Sequence, residues 1–202
     1  NQQERFDGPS SERRFTIAMT DVGEMYFMPT LVEYCQQHAP QIQIATVRAS
    51  SVDLMAEMET GRIDLALGAF DEVSGALYHR RLFQQDYVCL HRQHHALLRD
   101  EINLKAFLNA EHLIVSTKES PYDKINLALE KAGISASANF TVPHFSAVPY
   151  VLSHTDLVAI VPQKLAATAA QHFRLAYSKV PLKLPPLQTN IFWHRRFAQD
   201  EG

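Results

Sequence analysis

Apolar and polar positions follow two rhythms that take turns along the chain. FTIAMT (Phe15 to Thr20), IQIATV (Ile42 to Val47) and IDLALG (Ile63 to Gly68) are short, β-rich runs of mostly apolar residues, the pattern of strands in a parallel sheet. Between the first two, Met28, Leu31, Val32 and Cys35 recur at i, i+3, i+4 and i+7, the period of a helix with one buried face. Proline is tolerated in the first turn of a helix, so Pro29 predicts regular helix from about Phe27, ending before Pro40. Between the second and third runs, Ser50-Ser51-Val52-Asp53 reads as a helix start and Gly61 as its stop. Gln41 to Gly68 is therefore a βαβ unit, whose strand ends should open on a ligand cleft.

The stretch LYHRRLFQQDYVCLH (Leu77 to His91) has no Gly or Pro and is too long for one strand of one lobe, so it predicts a crossover into a second lobe. There, NLKAFLN (Asn103 to Asn109) predicts a short helix and HLIVS (His112 to Ser116) a strand. Ser120-Pro121-Tyr122-Asp123 supplies a cap, an N1 proline and an N3 acid for a helix that Gly133 closes. Asn139 to Val142, a helix from about His144 to Ser153, LVAIVP (Leu157 to Pro162) and a helix begun by Pro162 continue the alternation. Leu187 to Trp193 reads as a strand returning toward the first lobe. The predicted fold class is α/β, with two lobes joined by two crossover strands. Residues 14–90 and 190–202 form the first lobe, 91–189 the second, and 1–13 a linker rich in charge, Ser and Gly.

Composition narrows the function. With 202 residues, 46% hydrophobic and 20% charged, the chain is long enough for two lobes sharing one fold. No apolar run approaches the roughly 20 residues that span a bilayer, and the polar start NQQERFDGPSSERR is unlike a signal peptide, so a cytoplasmic location is expected. Nineteen basic against 22 acidic residues, with no basic stripe, argue against this segment gripping nucleic acid by itself. Cys35 and Cys89 fit a reducing compartment as buried free thiols.

Strand-to-helix turns bring Thr20, Asp21 and Val22, Ala49 and Ser50, Ser116 to Tyr122, His144 and Phe145, and Pro162 to Lys164 around the expected cleft. Helix N-termini and Lys164 would receive a small anion, while Phe27, Tyr122 and Phe145 would form flat apolar walls. That combination suits an aromatic ring bearing a carboxylate or phenolate. Each residue also has a plainer reading. Lys164 could be a solvated helix-start lysine, His144 could bond local backbone, and Tyr122 and Phe27 could be core. His91, His94 and His95 include an i, i+4 pair, but without Cys or acidic support at ligand spacing no metal site is expected. GxSxG, HExxH, Walker A, CxxC and GxGxxG are all missing, so no enzyme and no cofactor is expected.

AMTDVGEMYFMPTLVE, METGRIDLALG, RRLFQQDYVCLHR, VPHF, TDLVAIVPQ and NIFWH, in that order and spacing, resemble the effector-binding domain of LysR-type transcriptional regulators over about residues 14 to 197. They are most similar to the branch controlling degradation of simple aromatics such as salicylate, nitroaromatics and chlorophenols, which also includes the nodulation regulators. The resemblance implies a type 2 periplasmic-binding-protein fold, an inducer between the lobes, and a winged helix-turn-helix that binds promoter DNA. That DNA-binding part, and the family's last C-terminal helix, are expected to lie outside this segment. It also implies a homodimer or homotetramer in which the helix at about 27–38 packs on the partner's helix at about 122–131. Thr20, Asp21, Val22, Phe27 and Ser50 match the family's inducer-contacting turns. Gln85, Tyr122 and Lys164 match pocket positions where relatives often carry His, His and Arg. These departures favour a phenol-class inducer, chlorinated members included, with a salicylate-like anion as the alternative. A solute-binding protein for transport of a small organic anion shares the fold and is the second functional reading.

Overall fold

Ile17 and Met19 face one side of strand β1 (Arg14–Met19) and Ala18 the other, and this alternation organises the first half of the computed structural model, which describes residues 5–70, 75–96, 102–118 and 121–202. β1 pairs in parallel with β2 (Gln43–Arg48) on one side and β3 (Leu65–Gly68) on the other. Helix α1 (Asp21–His38) covers Ile17, Met19 and Leu67 with Phe27, Met28 and Leu31. On the opposite face Ala18, Met58, Ile63, Ala66 and Phe192 form a second cluster, to which α2 (Leu54–Glu59) contributes Met58. β1 and β3 carry buried residues on both faces, which is why they read as apolar runs.

In the first half of the chain two helix boundaries differ from expectation. α1 begins at Asp21, where the Thr20 hydroxyl accepts the Gly23 amide at 3.1 Å, so Pro29 lies inside the helix and not in its first turn. Side-chain capping at Thr20 fixed the start; the proline interrupts one backbone bond downstream without ending the helix. Of the expected apolar face, Met28, Leu31 and Cys35 are half-buried and Val32 is 41% exposed. In α2 the cap is Asp53, which accepts the Ala56 amide at 3.2 Å, while Ala49–Ser51 forms a separate 3-10 turn. Gly61, with φ of 75°, ends the helix as predicted.

The long extended stretch is β4 (Leu77–Gln85) and β5 (Tyr87–Arg92), broken at Asp86. The five-stranded first sheet runs β2-β1-β3-β10-β4, with β10 (Leu187–His194) antiparallel to β3. The chain divides into two compact units, Asn1–Leu82 with Thr189–Gly202, and Phe83–Gln188. The division precedes the expected one at residue 90 because β5 pairs with β8 (Ala159–Pro162) and β9 (Leu175–Lys179), both in the second unit. Residues 5–13 carry no helix or strand, but Arg13 is held by both carboxylate oxygens of Asp200, at 2.6 and 2.7 Å.

The second unit adds α3 (Leu104–Asn109), β6 (Leu113–Val115), α4 (Asp123–Lys131), α5 (Ile134–Ser137) and β7 (Phe140–Val142). A 3-10 turn at Phe145–Ala147 leads into α6 (Val148–Leu152), and α7 (Gln163–His172) follows β8. β6 pairs in parallel with β7, and a bridge between His112 and Val158 ties this pair to β8. The helix expected to open at Pro121 begins at Asp123, with Tyr122 at its N-cap, and the one expected from about His144 begins at Val148. Gly133 takes φ of 78° at the end of α4, and no pattern in the sequence predicts α5 or β9.

Buried histidines make this unit sensitive to acid. His112 is 4% exposed and its Nε2 lies 2.7 Å from the Phe107 carbonyl; His91 lies 2.9 Å through Nδ1 from the Arg92 carbonyl. Burial holds both below the ordinary value of 6.5. An unfolded chain therefore binds these protons first. The stability they contribute is complete above 6.5 and is lost as pH falls below it toward the lowered folded values. Urea midpoints at about pH 5.5 should lie below those at about pH 7.5, by less in His91→Gln; identical differences in both proteins would contradict this account.

Candidate functional site

In the first unit the expected turn residues are bound up locally. Thr20, 8% exposed, caps α1, and the Asp21 carboxylate accepts the Val22 amide at 2.9 Å. Two first-turn amides of α1 thus have partners from the chain itself, and Asp21 and Glu24 place negative charge where the helix dipole is positive. Asp53 does the same for α2. The expectation that these helix starts hold bare amides for an anion is corrected: the sequence supplies its own carboxylates. Ser50 is exposed within the 3-10 turn, and Phe27 is half-buried, packed on Ile17, Met19 and Leu67, with Tyr26 edge-on at 5.0 Å.

In the second unit the structure assembles Gln85 and Lys164. Pro162 sits at the N-cap of α7 and has no side chain to cap it, so acceptors come from the end of β4 and the break after it. Gln85 Oε1 accepts the Lys164 amide at 2.8 Å, and the Asp86 carbonyl accepts the Gln163 amide at 3.0 Å. The Lys164 ammonium lies 4.7 Å from the centre of the Phe83 ring, a cation–π contact. Around them is an open groove of about 390 Å3, lined by Gln84, Gln85, Asp86, Gln163, Lys164 and Ala167. Sequence reasoning missed Phe83 and Asp86. Strand alternation gave a signal for Phe83, two residues before Gln85 and so on the same face.

Tyr122 and Phe145 form core, which corrects their reading as open walls. Tyr122 is 1% exposed, donates its hydroxyl to the Ile160 carbonyl at 2.7 Å, and meets Phe145 edge-to-face at 5.0 Å and Tyr87 at 5.9 Å. Burial, with lesser contributions from Tyr87 and Cys89, pushes its phenol well above the usual value. Phe145 is 2% exposed, and half-buried His144 stands at the N-cap of the adjoining 3-10 turn. Of the expected lining Ser116 to Tyr122, residues 119 and 120 lie outside the described residues, including the cap predicted at Ser120. His91 and His95 are structural, the latter bonded through Nε2 to the Asp156 carbonyl at 2.5 Å. Among the described residues no group of three or more His, Cys, Asp or Glu is placed to hold a metal ion, and no helix is long and apolar enough to cross a membrane.

The LysR substrate binding domain family matches residues 9–201. The chain belongs to that family. It is 42% identical over 200 residues to the HTH-type transcriptional activator NagR of Ralstonia sp., covering 99% of this chain and 66% of NagR. It is 39% identical over 197 residues to the HTH-type transcriptional activator NahR of Pseudomonas putida, covering 98% of this chain and 66% of NahR. The chain therefore spans just under two thirds of those relatives. Among solved structures, the regulatory domain of MexT, a transcriptional activator in Pseudomonas aeruginosa, superposes with a TM-score of 0.76 at 21% identity, over 93% of this chain and 92% of that one. The effector binding domain of QuiR in complex with shikimate superposes with a TM-score of 0.67 at 14% identity, over 90% and 87%. The LysR assignment accounts for the α/β architecture as periplasmic-binding-protein-like, and the family is one of transcriptional regulators, not enzymes.

Proposed function

We propose that this LysR domain is the effector-sensing part of a longer transcriptional activator of aromatic catabolism, and that its effector is a phenol-class aromatic, chlorinated members included. The observation that carries the reading is the 42% identity to NagR across 99% of the chain. Binding would shift the balance between two conformations and so the grip on promoter DNA of a winged helix-turn-helix outside these residues. The effector contacts proposed are Thr20, Asp21, Val22, Phe27, Ser50, Gln85, His144 and Lys164, with Tyr122 and Phe145 supporting from the core. Two observations favour a phenol over a carboxylate such as salicylate. The α1 and α2 starts already carry Asp21 and Asp53, and the Tyr122 hydroxyl is committed to Ile160. Chlorination adds apolar area, worth about 25 cal/mol per Å2 buried, and acidifies the hydroxyl toward Lys164.

The test is a thermal-shift and calorimetry panel of phenol, chlorophenols, salicylate, benzoate and muconate. Chlorophenols should raise the melting temperature most and bind tightest. Tightest binding by salicylate or muconate would sink the effector assignment. A transport role is the competing reading, and the upstream gene sequence separates them by encoding a helix-turn-helix or a signal peptide.

Pairing is proposed between α1 of one copy and α4 of another. Tyr26, Val32 and Tyr34 are 38%, 41% and 59% exposed on α1, and Leu127 is 53% exposed on α4, more apolar surface than a solvent-facing helix needs. Such an interface would be isologous. Light scattering should find dimers that Val32→Asp or Tyr34→Asp dissociates without lowering the melting temperature; a monomer at tens of micromolar before substitution would rule the pairing out.

A further inference from the structure

We propose that Arg13 and Asp200 form a latch that holds residues 5–13 against the first unit as a strap, and that this latch sets how the chain ahead of β1 leaves the domain. The second half of the proposal rests on the reading that a DNA-binding part of the longer regulator lies ahead of residue 5. The strap has no helix or strand to hold it. Its own bonds are a turn, in which the Ser11 amide donates to the Asp7 carbonyl at 2.9 Å, and a contact from the Arg13 amide to the Ser11 hydroxyl at 3.2 Å. Its attachment to the fold draws on the far end of the chain. Both Asp200 oxygens accept the Arg13 guanidinium, at 2.6 and 2.7 Å, and the Glu201 carboxylate accepts the Phe6 amide at 3.2 Å. The Gly202 amide donates to Asp200 at 2.9 Å and steadies the carboxylate for that fork.

Three features make this a latch and not a fixed seam. The two side chains are 35% and 32% exposed, so water can take over their bonds when they part. Beside them lies a hollow of about 460 Å3, walled by Phe15, Trp193 and Phe197, where a packed core would otherwise resist opening. Arg13 also keeps a second hold, 4.6 Å from the centre of the Phe15 ring and 3.5 Å from Asp64 Oδ1, so parting from Asp200 does not strand its charge. The third feature is the route to Asp200. The chain returns from the second unit at Thr189 within β10, runs beside β3, and passes through a 3-10 turn at Arg195–Phe197 to Asp200. Arg13 is fixed separately, by the Gln43 amide donating to its carbonyl at 3.0 Å. A displacement of β10 along its axis therefore moves Asp200 against Arg13, and the latch registers it.

Hydrogen exchange read by mass spectrometry on the unaltered chain, Asp200→Asn and Arg13→Ala tests the latch. Both variants should speed exchange across residues 6–13 by at least about threefold, while α1, β3 and the melting temperature stay as they were. Arg13→Lys should fall between, since an ammonium meets one carboxylate oxygen where the fork meets two. In the full-length regulator, Asp200→Asn should weaken binding to promoter DNA by at least about threefold, because a released strap no longer presents the DNA-binding part in one geometry. Unchanged exchange across residues 6–13, or acceleration spread evenly over the first unit with a lower melting temperature, would overturn the latch. Unchanged DNA affinity beside a released strap would overturn its role in placing the chain. A full-length protein that binds no DNA would sink the regulator reading, and the exchange result would still decide the latch.

Discussion

Tyr122→Ala should lower unfolding stability by about 3–5 kcal/mol, the scale for removing a large aromatic from a packed core. The ring is 1% exposed, sits edge-on to both Tyr87 and Phe145, and spans the distance from the start of α4 to the β8 backbone. Its loss opens a cavity between the start of α4 and β8. Tyr122→Phe keeps the ring and loses only the 2.7 Å bond to Ile160, which should cost about 1 kcal/mol. Urea unfolding of the two variants measures both. Calorimetry adds a sharper comparison: a phenol-class effector should bind Tyr122→Phe as tightly as the unaltered chain, since that hydroxyl already has its acceptor. A large loss of affinity on removing only the hydroxyl would mean that Tyr122 changes partners when the effector arrives.

Lys164→Ala should weaken an anionic effector by about 1–3 kcal/mol, the scale for a hydrogen bond to a charged group, and leave a neutral analogue nearly unaffected. Lys164 is half-buried at the second position of α7, and its ammonium stands over Phe83. Truncation leaves the backbone amide, and therefore the Gln85 cap, in place. Binding constants for a chlorophenolate and for a ring of the same size without an ionisable group give the answer; equal losses for both would mean that Lys164 only shapes the groove. Lys164→Arg should not restore full affinity, because a planar fork on a longer stem reaches a different point than an ammonium.

β1 and β3 were legible because apolar residues pack on both their faces, and half-buried β2 because it is rich in apolar and β-branched residues. Local capping was legible less often. Ser50 and Asp53 were both credible helix starts, and only the backbone path decides that Asp53 meets the Ala56 amide. The role of the Thr20 hydroxyl as the cap of α1 is not marked in the sequence, and Pro29 lies inside the helix without ending it. β9, LAYSK, has no Gly or Pro to mark its start, and its pairing with β5 joins residues far apart in the chain, which no local pattern carries. The same limit applies at the site. Turn position picked out Tyr122 and Lys164, and the family resemblance picked out Gln85. Their division into helix cap, core and charge depends on Pro162 lacking a capping group and on Ile160 offering a carbonyl, facts of three-dimensional neighbourhood.

The two cysteines differ in a way that serves chemical labelling. Cys89 is fully buried in β5, and burial pushes its thiol up to about 12, so almost none of it is thiolate near neutral pH. Cys35 is half-buried on α1, the helix proposed to pair. A maleimide dye added to the folded protein should therefore mark a single position without mutagenesis, turning the native sequence into a fluorescent reporter of whatever happens along that helix.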